Sequence, residues 1–314
     1  MDVQADVSRR HSFWSWLLLV GGGFLLLAAL LWAVAWHMMG GTGMQTGGLG
    51  AFTGDNIAVV DLKGVIMSPD KIDRQLEDFA NDSSVKAIIL HIDSPGGGAA
   101  ASQEIYHEVL RIRTLHKKRV VASIESVGAS GAYYVASATD RIYANQASIV
   151  GSIGVIMEWI NYGDLLKWAK LKNVTIKAGA LKDAGSPTRD LTPTERAYFQ
   201  GLTDNMHAQF IQDVAAGRRL PVKEIQDLAT GQVWTGQQAL PLHLIDQTAG
   251  FRVALLDTAR AVGIKGEPSI VRPREPKNGL LDVFLKQNTQ LPFPTPGEMQ
   301  SLLEKAPGFY FLWQ

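Results

Sequence analysis

Three short segments of this chain combine flexible backbone with side chains that could act on a carbonyl group. The first is Glu125-Ser126-Val127-Gly128-Ala129-Ser130-Gly131-Ala132-Tyr133-Tyr134, which reads as strand, turn and helix. Ser130 sits among small residues at the expected helix start, where its hydroxyl can be presented and the next N–H can face a developing oxyanion. Serine also caps helices at such positions, so nucleophile and cap both stand as readings. The second segment is His91-Ile92-Asp93-Ser94-Pro95-Gly96-Gly97-Gly98, at the end of an apolar strand. Its glycines can turn backbone N–H groups into a cleft ahead of a helix N-terminus, a nest suited to an oxyanion or a phosphate. A tight strand-to-helix turn explains them equally well, and neither the Walker A nor the Rossmann pattern is present. The third runs from Ile176 to Pro187 and places Lys182 between glycine-containing turns. A lysine acts as a base only when its surroundings bring its pKa down from about 10.4. Otherwise Lys182 is a surface charge.

Together the three supply an anion nest, a nucleophile and a base. A histidine base is less well supported. His107, His116 and His207 fall on helices, and His91 lies in a strand near Asp93. The elbow of α/β-hydrolases would need glycine at position 132, where Ala132 stands.

These segments need rigid elements to hold them. Runs rich in β-branched residues predict strands over Ile57–Leu62, Ala87–Ile92, Val120–Ile124, Arg141–Ala144, Ile149–Ile156 and Val174–Ala178. Helical periodicity predicts helices over Lys71–Asn81, Ala99–His116, Gly131–Thr139, Leu165–Lys170, Pro193–Arg218 and Val253–Val262. Phe199, Leu202, Met206 and Phe210 are spaced to give the long helix one buried face. The alternation predicts an α/β domain with a largely parallel sheet over 56–272.

Charge is balanced at 30 Lys+Arg and 30 Asp+Glu, so no basic excess favours nucleic acid. The chain has no cysteine, which excludes disulfides, cysteine metal sites and a thiol nucleophile. No Asp, Glu, Lys or Arg occurs between Arg10 and Asp55. Within that gap, residues 14–36 are apolar, with Trp14, Trp16, Trp32 and Trp36 at the two ends. A helix of that length, about 34 Å, spans a bilayer. Arg9 and Arg10 place residues 1–13 in the cytoplasm and the rest across the membrane. The alternative is a signal peptide cleaved after Ala33-Val34-Ala35. Residues 37–55 are glycine-rich and read as a tether. Residues 273–314 hold six of the 13 prolines and end in the apolar run Phe309-Tyr310-Phe311-Leu312-Trp313. That run needs cover from a neighbouring subunit, the membrane or the protein's own cleft.

Over about residues 56 to 262 the sequence resembles the signal peptide peptidase A family, in its short, single-repeat, membrane-anchored form. That family lies within the wider group of Clp-protease and crotonase folds. The resemblance rests on Asp93-Ser94-Pro95-Gly96-Gly97-Gly98, Ser126–Tyr134, Val150-Gly151-Ser152-Ile153-Gly154-Val155, Lys177–Pro187 and Val233-Trp234-Thr235-Gly236-Gln237-Gln238-Ala239-Leu240. It implies a serine endopeptidase with a Ser-Lys dyad: Ser130 as nucleophile and Lys182 as general base. It further implies an oxyanion hole from the N–H groups of Gly97 and Gly131, and a Ser152 hydroxyl that positions the lysine. No metal or organic cofactor is expected. The implied assembly is a homo-oligomeric ring, an octamer by resemblance, with sites shared between subunits. The implied substrates are remnant signal peptides and other apolar peptides, cut on the periplasmic side of the bacterial inner membrane. His243 departs from the pattern, standing where similar proteins carry glycine before Leu244-Ile245-Asp246. Other readings are a catalytically silent quality-control scaffold, a crotonase-like acyl-CoA enzyme and a Ser-His-Asp esterase.

Overall fold

The computed structural model describes residues 55–273 and the backbone of 309–312. The first strands are β1 (Asn56–Lys63), β2 (Val85–Ser94) and β3 (Gly96–Gly98), with helix α1 (Asp70–Asn81) between β1 and β2. Helix α2 (Ala99–Arg111) continues into one π-helical turn, Ile112–His116, and leads to β4 (Arg119–Ala129). There follow α3 (Gly131–Ser137), β5 (Arg141–Ala144), β6 (Ile149–Gly151), β7 (Ile156–Met157) and α4 (Gly163–Trp168). The remainder is α5 (Pro193–Arg218), α6 (Val222–Leu228), β8 (Val233–Thr235), α7 (Gly236–Ala239), β9 (Gln247–Thr248), α8 (Phe251–Ala261), β10 (Ser269–Val271) and β11 (Phe309–Leu312).

The main sheet runs β10-β1-β2-β4-β5-β9, every adjacent pair parallel, with β6 joined to the far half of β4. Only β8, paired with β6, is antiparallel in it. Parallel strands covered on both faces are apolar throughout: Ala87, Ile88, Ile89 and Leu90 of β2 are all fully buried. The expected α/β class with a largely parallel sheet is what forms. The anchor over 14–36 and most of the tether lie outside the described residues. Among the described residues, no helix is long and apolar enough to cross a membrane.

Two expected strands differ. Ile149–Ile156 is two short strands, because Gly151 (φ 93°) and Ser152 (φ 53°) turn the chain away from extended geometry. Val174–Ala178 is not a strand. Val174 and Ile176 are 80% and 97% exposed, and no strand among the described residues offers them a ladder. On α5 only Phe210 of the four expected core residues is fully buried. Phe199, Leu202 and Met206 are half-buried, so this helix is covered mainly toward its C-terminal end.

His243 adopts φ 57°, the left-handed region in which glycine costs less. Its carbonyl accepts Arg218 Nε at 3.0 Å, which ties the turn to α5. The buried Arg218 guanidinium also grips both carboxylate oxygens of Asp246 at 2.9 Å. Asp246 in turn accepts the Ile142 N–H at 2.7 Å, at the start of β5. Removing the carboxylate strands a buried cation, which costs about 3 kcal/mol or more. Asp246→Ala is therefore expected to destabilise the domain by about that much in chemical denaturation, and a loss below about 1 kcal/mol would contradict this account.

Candidate active site

Ser130 follows β4 with φ 53° and ψ −119°, a conformation that a residue bearing a Cβ avoids. Its N–H donates to the Gly151 carbonyl at 2.7 Å, and its own carbonyl accepts Tyr134 N–H at 2.8 Å. The side chain makes no capping hydrogen bond, which removes the helix-cap reading. The residue is 1% exposed, and Ala129, Ala132, Tyr133 and Tyr134 beside it are fully buried. A sharp strand-to-helix turn thus presents, from a fixed backbone, a hydroxyl with no hydrogen-bond partner among the described residues. The N–H of Gly131, in the first turn of α3, has no carbonyl partner within the helix and is available to an anion.

The neighbour holding Ser130 is itself tightly fitted. A Cβ at Gly151 would come 2.5 Å from the Trp234 ring, so the indole packs directly over that backbone. Ser152 follows at φ 53°, 6% exposed, its N–H bonded to the Gln232 carbonyl at 2.8 Å. Thr235 and Gln238 form a reciprocal cap at α7, and a Cβ at Gly236 would meet the Asn145 carbonyl at 2.1 Å. The Trp234-Thr235-Gly236 motif is therefore a buttress for Gly151 and Ser152.

Gly97 occupies β3, which packs against α3. Ile66 N–H donates to the Gly96 carbonyl at 2.8 Å, and Gly98 N–H donates to the Ile66 carbonyl at 2.8 Å. A residue's N–H and C=O point to one edge of a strand and alternate along it. With Gly96 and Gly98 engaged by Ile66, the N–H of Gly97 faces the opposite edge. Along that edge runs β11, antiparallel to β3 with Phe311 opposite Gly97, and antiparallel to β7 on its other side. A main chain lying there pairs along both edges, as an added strand does. Ile66 is a partner that sequence reading missed, since an isolated bridge from a loop leaves no periodic signal.

Lys182 stands apart. It is exposed, in a turn where its N–H donates to the Gly179 carbonyl at 3.2 Å. Among the described residues, no hydrogen bond or ion pair joins its ammonium to Ser130 or Ser152. The flanking chain is nonetheless pinned. Asp183 pairs with Lys177 and with Arg189, the latter at 3.0 Å, and Arg189 pairs with Glu195 at 2.5 Å. Glu195 also accepts the Thr192 N–H, locking the N-terminus of α5. The Arg189 guanidinium and the Thr192 N–H pull the Glu195 carboxyl down to about 2. From Ile156 to Leu181 the chain exposes Ile160, Tyr162, Leu165, Trp168, Leu171, Val174 and Ile176.

His91 is not near this arrangement chemically. Its Nδ1 lies 3.1 Å from Asp61, its Nε2 lies 3.6 Å from Glu125, and its ring packs on Phe251. Among the described residues, no group of three or more His, Asp or Glu is placed to hold a metal ion.

Two tests follow from the geometry. A Cβ at Gly97 would fall 2.1 Å from the Ile66 carbonyl oxygen. Gly97→Ala must displace that backbone, and hydrolysis is expected to fall about 100-fold with the domain still folded; unchanged kcat would contradict the assignment. The depressed Glu195 group stabilises the fold fully above about pH 4.5, its ordinary value, and this is lost as pH falls toward 2. The melting-temperature gap between wild type and Glu195→Gln is thus expected to be widest above pH 4.5 and to close near pH 2.

Comparison with known proteins identifies the family. Residues 113–265 match the model of peptidase family S49. A putative protease of Synechocystis is 38% identical over 197 residues, covering 62% of this chain and 70% of that protein. A putative protease of Methanocaldococcus jannaschii is 35% identical over 205 residues, covering 65% of each. A putative signal peptide peptidase SppA of Enterococcus faecium is 31% identical over 211 residues, covering 67% of this chain and 61% of that one. The chain belongs to peptidase family S49 and is a serine-type peptidase.

Proposed function

We propose that this protein is a membrane-anchored endopeptidase that cleaves apolar peptides, remnant signal peptides among them, through Ser130 and Lys182. One observation carries the reading: a buried serine at φ 53° whose hydroxyl has no hydrogen-bond partner among the described residues and which is followed by Gly131, whose N–H the helix α3 does not use. Lys182 takes the Ser130 proton as Oγ attacks the peptide carbonyl, and the N–H groups of Gly97 and Gly131 receive the oxyanion. Collapse of the tetrahedral intermediate expels the amine, which takes the proton from Lys182. The same lysine then activates water against the acyl-enzyme. Ser152, between Gly151 and the Gln232 contact, orients the lysine when it arrives.

The exposure of Lys182 favours a base delivered to Ser130 of a neighbouring subunit. The apolar side chains of the 156–181 segment favour burial in the same contact. Extended substrate pairs along β3 and β7, in the lane that β11 takes. Main-chain pairing there reads few side chains, which suits peptides of varied sequence. The charge-free run before Asp55 and the paired Arg9 and Arg10 support an anchor that keeps the domain outside the cytoplasm, beside such peptides.

Ser130→Ala and Lys182→Ala are each expected to abolish cleavage of an apolar peptide by detergent-solubilised protein. Co-assembled at equal amounts, the two inactive variants are expected to regain about a quarter of wild-type activity, because a shared site then finds both intact partners about one time in four. No recovery from mixed assemblies would contradict shared sites. Full activity of Lys182→Ala would remove the lysine from the mechanism.

A further inference from the structure

Pairing between β2 and β4 fails at one place, directly ahead of Ser130. Ile92 pairs with Ile124, and the next pair is Ser94 with Gly128. One residue of β2, Asp93, therefore faces Glu125, Ser126 and Val127 of β4. A bulge inside a sheet leaves backbone groups without ladder partners, and these need other partners. Ser148 Oγ and Asn145 Nδ2 donate to the Glu125 carbonyl at 2.5 and 3.2 Å. The Val127 N–H donates to Asp93 Oδ1 at 3.2 Å.

That last bond connects the two halves of the site. Val127 opens the run that pairs with β6, Val127 with Ile149 through Ala129 with Gly151, and Gly151 is the residue whose carbonyl holds Ser130. On its backbone side, the Asp93 carbonyl accepts the Gly64 N–H at 3.0 Å, at a turn with φ 69°. That turn leads to Ile66, which brackets Gly97. One residue thus touches the strand that carries the nucleophile and the turn that aligns the anion-binding strand.

We propose that the Asp93 carboxylate is a positioning residue, which replaces the missing β2–β4 ladder bond and so sets the Ser130 hydroxyl against the Gly97 N–H. The inference rests on Ser130 being the nucleophile. Its partner is a neutral N–H, so the site requires an acceptor oxygen rather than a charge. Asparagine supplies that oxygen; alanine does not.

The test compares full-length wild type, Asp93→Asn and Asp93→Ala in detergent. A fluorophosphonate probe, which phosphonylates the serine with loss of fluoride, measures the labelling rate per competent site, mass spectrometry locates the adduct, and kcat and KM are measured on an apolar peptide. Asp93→Ala is expected to lose about 30- to 100-fold in labelling rate and kcat with KM within about twofold, as for a displaced nucleophile. Asp93→Asn is expected to return both to within about threefold of wild type. A merely structural role would lower the number of sites labelled and leave the rate at each unchanged, which would overturn the proposal. So would Asp93→Asn behaving like Asp93→Ala, or Asp93→Ala labelling at the wild-type rate. Should Asp93→Ala fail to assemble, Asp93→Asn decides alone: labelling below about a tenth of wild type overturns the proposal. Absence of an adduct on Ser130 in wild type would instead remove the serine reading, and this inference with it.

Discussion

The hydrogen bond from Ser130 N–H to the Gly151 carbonyl holds a backbone that would not stay where it is unaided. A serine at positive φ and strongly negative ψ costs of order 1–3 kcal/mol, and that cost is met only where the surroundings admit no other arrangement. Here the constraint is built in layers. Trp234 fixes Gly151, the reciprocal cap at Thr235 fixes Trp234, and the wholly buried α3 fixes the other side of the turn. Ser130 and Ser152, each just past the end of one of two paired strands, both carry positive φ. The parallel sheet exists, in functional terms, to bring the ends of β2, β4 and β6 to one place.

Much of that was legible in the sequence. Apolar runs marked β1, β2, β4 and β5 because a strand buried on both faces has no polar alternation to obscure it. Helical periodicity marked α5 over Pro193–Arg218, and the capping box at Thr192 and Glu195 that closes its start emerged only in the structure. The glycines at 97, 151 and 236 were visible as a pattern, but their reason was not: each faces a backbone or ring from a segment far away in the chain. Asp93 stood inside a motif and looked like part of a turn. Only the shifted register of β2 and β4 reveals that its carboxylate occupies a gap in the ladder.

The strand expected over 149–156 breaks at two positive-φ residues, whereas the one expected over 174–178 fails for want of a partner. Val174 and Ile176 carry strand-forming side chains, yet they are almost fully exposed in the single chain. The apolar residues of α4 and its flanks are exposed with them. Propensity registers a demand for burial and does not say who meets it. Lys182 lies in that same segment, so the piece of sequence that is hardest to read from one chain also carries the proposed base. Its ion-paired frame, Lys177, Asp183, Arg189 and Glu195, keeps the segment shaped while leaving the ammonium itself exposed.

The central claim is that Ser130 and Lys182 meet across a subunit boundary. The chain contains no cysteine, so a pair of them can be introduced without background. The most direct measurement is thiol cross-linking of the double variant Ser130→Cys with Lys182→Cys, using a short bifunctional reagent on the assembled protein, read on a denaturing gel. The account predicts a ladder of covalently joined subunits, absent from either single variant. A link formed only within single chains, with no ladder, would contradict it.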